Sequence, residues 1–512
     1  MSKGDTQFCT PRPEPRVASP PWWPAAVVVA VTAFGSRLMP LLHGGGFFGI
    51  GNYDDGVYFS AAVALVHGRL PYRDFVFLHP PGVVLALVPF AALGRIVGED
   101  WGFALARAGW ITLGALNAVL VARILQPVGL LASVFGGLSY AVFYPAVYVE
   151  ISTQLQGLSN TLLLAGLALL VTAHARSRPA RLLVAGALLG ASSTVKIWGV
   201  VAVLCIVAWT LASAGRRRGG QLLMGAVLGV ALVCLPFFLA APQKMWHHVV
   251  AAQLGRPDLP PQGLGRLQDI VGLRLLEPGP ALPWLLTLAS VCVVLAAAVT
   301  WWQASTRLAV LLLAALLAVE FSVPSWFQHY AALAAPPLAL VLGTAGQHAV
   351  DLLRERSKGL AIATVAAMAS AVLVCELTLG SASFGTPFER QRLARAVVNM
   401  PGCIASDSPA ALVEMDVFGR NVQRGCPVVV DLNGYTYVIP HRPGAPWTRR
   451  FDPRWQRYAM SYFCRGAAAI IIRALKPTNF SRRNDPLVRK WPVIVKAGQH
   501  KLVRPEQGCS AS

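Results

Sequence analysis

Two adjacent carboxylates, Asp54 and Asp55, head the stretch "NYDDGVYFSAAVALVHGRLPYRDFVFLHPPG" (52–82), within an otherwise apolar part of the chain. Side by side such acids repel, and near a membrane each resists losing water, so the pair needs a task. Acid–base chemistry would supply one: the first carboxylate takes the proton of an attacking hydroxyl while the second orients it and holds the incoming group. If the attacked carbon belongs to a glycosyl phosphate, the leaving group needs less acid assistance than in a glycosidase. The charge gathering on the phosphate then needs cations or hydrogen-bond donors. Lys196, Arg256 and His329 are the candidates, with Tyr330 beside the last. One base and no nucleophile imply a single inverting displacement. His79 of "HPPG", Gln253 of "QLGRP" and Glu150 are further candidates for substrate contact. Plainer readings stay open: Asp54 as the cap of a helix opening at Gly56, His79 as a loop histidine, Lys196 as a snorkelling side chain. His329 and Tyr330 could belong to an interfacial aromatic belt, and Glu150 and Glu320 to solvated helix ends. Arg107, inside an apolar run, reads as the partner of an acid.

The elements that must position these groups follow from composition. Of 512 residues, 55% are hydrophobic and 13% charged, and the mean hydropathy is +0.55. Soluble domains carry roughly 25% charged residues, so this is a membrane composition. The net charge of +21 sits mostly in short loops and a C-terminal region, and no nucleic-acid motif accompanies it. The nine cysteines form no CxxC pair, and no metal-ligand pattern is evident. After a polar, Pro-rich tail (1–20), apolar runs of spanning length are expected at 24–42, 103–125, 128–149, 155–173, 182–191, 197–212, 222–241, 281–302, 308–323, 330–346 and 360–380, which makes about eleven helices. The first is read as uncleaved.

The basic connectors "HARSRPAR", "GRRRGG" and "LLRERSK" fall on one side with the N-terminus, which makes that side cytoplasmic. The loop 43–101, Glu150, Lys196, the loop 242–280 and "SVPSWFQHY" fall on the other. The unusual polar motifs thus share one face, although the charge rule that set the topology did not use them. "VYFSAAVALV" (57–66) is read as a helix along the outer interface, and 81–98 as a second. From 381 to 512 the composition becomes that of a soluble α/β domain outside the cell, with strands at "GCIASD", "CPVVVDL" and "AAAIIIRA". Its Cys403, Cys426, Cys464 and Cys509 permit three full pairings. Cys403–Cys426 is favoured, because each would open a strand. The Arg excess there, with Trp447, Trp455 and Tyr458, suits an acidic glycan or anionic headgroups as well as a plain basic surface.

The ordered set of an uncleaved first span, an acidic pair, "HGRLPYRDFVFLHPPG", "ALARAG", "STVKIWG", "AAQLGRP" and "HYAALAAPP" resembles the polytopic GT-C glycosyltransferases. The branch it resembles is that of the dolichyl-phosphate-mannose–protein mannosyltransferases and aminoarabinose transferases, over roughly residues 20 to 380. The resemblance implies a transmembrane catalytic domain (21–380) and transfer from a polyprenyl-phosphate sugar to an extracytoplasmic glycan, glycolipid or protein. It implies Asp54 as the base, and neither cofactor nor metal. Asp55 stands where such enzymes often have Glu, and Val57 and Tyr58 stand where some carry a phosphate-binding Arg. The rival class is a transporter or flippase of lipid-linked sugars, but no inverted repeat is visible. Arg far outnumbers Lys and Ala is abundant, which suggests a GC-rich bacterium. Mannose or arabinose added to its cell envelope is then the expected chemistry, in a multi-pass plasma-membrane protein with its C-terminus outside.

Overall fold

The computed structural model describes residues 22–176, 179–256, 263–439, 449–472, 479–506 and 509. The expected tail 1–20 and Trp447 lie outside them. Helices α1 (Trp23–His43), α2 (Tyr53–Val66), α3 (Gly82–Val97), α4 (Glu99–Leu125), α5 (Leu130–Val142) and α6 (Tyr144–Glu150) come first. They are followed by α7 (Leu155–Arg176), α8 (Pro179–Val195), α9 (Gly199–Ala214) and α10 (Arg216–Ala240). Short turns α11 (Pro242–Trp246), α12 (Ala252–Leu254) and α13 (Gly263–Ile270) lead to α14 (Leu282–Trp301), α15 (Arg307–Ser322), α16 (Ala335–Arg356) and α17 (Lys358–Ser381). Among the described residues, α1, α4, α10, α14 and α17 are long and apolar enough to cross a membrane. The pair α5 and α6, bent by 60° at a break, passes as a sixth span. Pro145, in the first turn of α6, accounts for the break, since it brings no amide to the Ala141 carbonyl four residues back and its ring crowds that oxygen. The expected runs at 155–173, 182–191 and 197–212 lie on shorter apolar helices.

Small residues let these helices approach closely. A Cβ on Gly186 or Gly190 of α8 would meet α10 backbone oxygens at 2.1 and 2.0 Å. In an apolar medium such contacts provide packing that no hydrophobic difference from lipid could supply.

Helix α2 departs from the interfacial reading: Asp55 through Ala64 are all buried. Its apolar residues run all round the helix, and such a helix is stable only when covered on every side. α3 and the ring of Phe103 on α4 cover part of it, with Phe59 and Phe103 4.8 Å apart. The C-terminal segment covers the rest.

That segment comprises α18 (Arg390–Val397), β1 (Cys403–Ser406), α19 (Pro409–Glu414), α20 (Phe418–Gln423), α21 (Tyr435–Val438), α22 (Pro453–Cys464), β2 (Gly466–Ile470), α23 (Asn484–Lys490), β3 (Val493–Ala497) and β4 (His500–Val503). The sheet order is β1-β2-β4-β3, with β1 and β2 parallel and the other pairs antiparallel. The run "CPVVVDL" is not a strand, which corrects the sequence expectation. Strand propensity depends on what lies alongside, and Pro427 brings no amide to a ladder. Cys403 and Cys426 are bonded, Cα atoms 5.8 Å apart, but Cys426 sits in the loop after α20 and not on a neighbouring strand. Cys464 and Cys509 form a second bond.

The segment is docked on α2 and α4 by charge and by close backbone contact. Glu99 of α4 accepts hydrogen bonds from the amides of Phe418 and Gly419, while its own amide donates to Asp416. Arg390 pairs with Asp100. Gly56 of α2 faces Ala410 of α19, where a Cβ would come within 2.4 Å of the Ala410 nitrogen.

Candidate active site

Asn52 is the residue before α2, so Asp54 and Asp55 stand in the helix's first turn, where the amide dipoles favour negative charge. Asp54 is therefore not the helix cap. It lies on the wall of a cavity of about 380 Å³. Asp55 points the other way, is fully buried, and pairs with Arg107 of α4, whose Nη2 donates to it at 2.8 Å. The Thr153 hydroxyl and amide donate to its second oxygen at 2.7 and 3.1 Å. Arg107 also pairs with Glu414 of α19 at 3.0 Å. Asp55 thus lies outside the cavity lining and fixes the helix that presents Asp54; the expected direct catalytic contact is corrected to a positioning one.

His79, Arg256, His329 and Tyr330 line the same cavity as Asp54. Arg256 donates to the Tyr330 hydroxyl at 2.8 Å, and its guanidinium lies 4.7 Å from the Tyr437 ring centroid. Lys196 sits in the short turn between α8 and α9, fully buried, 4.3 Å from the Tyr330 ring centroid and with no hydrogen-bond acceptor for its ammonium group. Burial, then Arg256, lower its pKa to about 7, against the opposing pull of Asp54. Burial, followed by Lys196 and Arg256, holds His79 and His329 well below the usual imidazole range, with His329 adding to the effect on His79. At neutral pH both rings are therefore neutral hydrogen-bonding groups and not cations.

The backbone that presents His79 is fixed from two sides. Tyr72, whose φ of 67° is rare for an aromatic residue, donates its hydroxyl to the His79 carbonyl at 2.6 Å. Gln253 donates to the Leu78 carbonyl at 2.8 Å. Gln253 is buried, gives an amide hydrogen to that carbonyl and is absent from the cavity lining, so the expectation that it touches substrate is corrected to support of the loop.

Glu150 is likewise removed from the substrate list. It is fully buried, pairs with Arg37 of α1 at 2.5 Å, and accepts from Asn117 and Tyr140 at 2.6 and 2.8 Å. It cross-braces α1, α4, α5 and α6. Glu320, also buried, accepts from the Ala334 amide at the head of α16.

The sequence reading missed the rest of the lining. Asn52, Tyr53 and Tyr148 come from the helical core, and Asp431, Asn433, Tyr437 and Arg449 from the C-terminal segment. Tyr53 hydrogen-bonds to Asp431, and its hydroxyl accepts from the Asn433 amide at 3.1 Å. Burial raises the pKa of Asp431, while the Gly434 amide, the Tyr53 hydroxyl, Arg449 and Arg256 favour its charged form. The run "DLNGYTY" was a visible turn signal, but nothing in the sequence tied it to Asp54. A second cavity of about 490 Å³ adjoins the first across Asn52 and Tyr148 and carries Tyr144 and Phe384 on its wall.

The bundle of apolar helices, the acid at a helix head and the docked α/β segment agree with a GT-C membrane glycosyltransferase, the class that the similarities to known proteins support. Solved structures of other proteins share the fold. ArnT from Cupriavidus metallidurans bound to undecaprenyl phosphate is 16% identical, with a TM-score of 0.57 over 95% of this chain and 98% of that one. The Archaeoglobus fulgidus oligosaccharyltransferase tethered with an acceptor peptide is 11% identical, with a TM-score of 0.56 over 88% of this chain and 68% of that one. No curated protein matches the sequence. Residues 77–336, just over half of the chain, match the model of glycosyltransferase family 87, and the chain belongs to that family.

Proposed function

We propose that the protein transfers one sugar from a polyprenyl-phosphate donor to a hydroxyl of an extracytoplasmic acceptor, with inversion at the anomeric carbon. The carrying observation is the cavity itself. Its lining brings Asp54 together with Arg256, His329 and Tyr330, and the Lys196 ammonium, which has no hydrogen-bond acceptor, lies 4.3 Å from the Tyr330 ring centroid. That grouping supports a reading in which a base and a phosphate site share one chamber. The acceptor oxygen attacks the anomeric carbon as the carbon–oxygen bond to phosphate breaks. The hydroxyl proton passes to Asp54, and polyprenyl phosphate leaves with the bonding pair. Lys196 and Arg256 offset its charge, Tyr330 and the neutral imidazoles hydrogen-bond around it, and the step as written uses no metal. The ArnT structure was obtained with undecaprenyl phosphate, which supports a donor of this lipid class.

The adjoining cavity, with the aromatic walls of Tyr144, Tyr148 and Phe384, gives the acceptor a route to Asp54. The finer assignment is mannose or arabinose delivered to a cell-envelope glycan, glycolipid or protein. We also propose about eleven spans, with residues 1–20 cytoplasmic and 381–512 outside. The test is incubation of purified protein with radiolabelled polyprenyl-phosphate mannose and arabinose. Time-dependent release of labelled sugar by the wild type and its loss in Asp54→Asn are expected. Equal release by both would overturn the reading.

A further inference from the structure

We propose that Asp431 binds the donor sugar, taking hydrogen bonds from hydroxyls of the ring attached to phosphate, so that the C-terminal segment selects the sugar. This rests on the function proposed above. The carboxylate shares the cavity with Asp54 although it comes from the far end of the chain. It is surrounded by protein yet accessible from the cavity side.

Its placement is built. The Gly434 amide donates to its Oδ1 at 2.6 Å, and the Tyr53 hydroxyl, one residue before the proposed base, also donates to the carboxylate. Gly434 is required by proximity and not by backbone angle: a Cβ there would come within 2.0 Å of Asp431 Oδ2. A carboxylate has about four acceptor positions, so these two donors leave room for a pair of sugar hydroxyls. The donor side is favoured over the acceptor side by charge. The fields of Arg256 and Arg449 both act on Asp431, and Arg256 belongs to the group around the expected phosphate. A sugar bonded to that phosphate lies within one ring's length of it. Asn433 and Arg449, on the same wall, supply donors for its oxygens.

The test measures binding directly, with the purified full chain, a polyprenyl-phosphate mannose, the bare polyprenyl phosphate, and deoxy-mannose donors. Asp431→Asn should weaken the sugar-bearing donor about 10-fold or more while leaving the bare lipid within about twofold, the loss expected when hydrogen bonds to a charged group are removed. The deoxy donors that lack a hydroxyl meeting Asp431 should narrow the difference between wild type and variant, because part of what the carboxylate holds is gone. Weakening of the bare lipid as well would make Asp431 a structural support and overturn the proposal. Unchanged affinity for the mannose donor would overturn it too. A wild type that binds neither lipid would defeat the polyprenyl-phosphate reading itself.

Discussion

At the scale of single residues, the two acids that look equivalent in sequence are given different work by their surroundings. Asp54→Asn keeps size and first-turn placement but removes the base, so transfer should fall about 100-fold or more with donor binding intact, as measured by initial rates and lipid titration. Asp55→Asn should show first in stability. It leaves Arg107 with Glu414 as its remaining acid beside the Phe47 carbonyl, and removing one partner of a buried pair costs about 3–5 kcal/mol. Its thermal midpoint in detergent should drop by more than that of Asp54→Asn. Lys196 offers a pH test. Its pKa of about 7 means that the ammonium form, which attracts phosphate, prevails below neutrality and is lost above it. Affinity for the sugar-bearing donor, a phosphodiester whose charge is constant in this range, should therefore weaken as pH rises through about 7, by up to about tenfold per unit. Lys196→Ala should flatten that dependence. The cavity residues Asp54, His79, Arg256, His329 and Tyr330 were legible because polar groups stand out in apolar sequence. Glu150 was misjudged because Arg37, which neutralises it, is distant in the chain, and no local pattern announces such a pairing.

At the scale of elements, α2 decides the geometry of the site. The apolar run of α2 was legible, but its environment was not. An apolar helix without a polar face can be covered by lipid or by protein, and only the tertiary fold supplies α19 as the cover. Gly56 marks that contact. Gly56→Ala should push α19 away from α2, lowering stability by about 1–3 kcal/mol, the usual cost of overpacking a close contact. Because Asp431 follows on the same segment, the variant should also bind the sugar-bearing donor less well. Thermal unfolding and donor titration on one preparation would check both effects. In the C-terminal segment, β1 and β2 were visible as apolar runs. β3 and β4 were not, since "VIVKA" and "HKLV" mix charge with apolar residues along an edge hairpin.

At the scale of the whole molecule, the charge of the connectors carries the orientation. A cysteine introduced at Arg217 should be shielded from an impermeant reagent in intact cells, whereas one at the exposed Arg69 should react. Labelling at 217 from outside would reverse the topology. The polytopic class was legible in hydropathy alone. The dependence of the cavity on the C-terminal segment was not, because a basic, disulfide-bearing α/β tail looks the same whether it stands apart or closes a site.

The docking of that tail has a consequence for how the protein comes into service. The ribosome delivers the Asp54 helix early and the Asp431 turn late; on the proposed topology the late part crosses the bilayer and forms its disulfides before it settles against α2 and α4. A half-made chain could already hold a lipid phosphate through Lys196 and Arg256, yet its reaction chamber would lack a wall. On the proposed function and topology, transfer then begins only once that segment has docked. A nascent or truncated copy would be a silent lipid binder, unable to squander activated sugar on water.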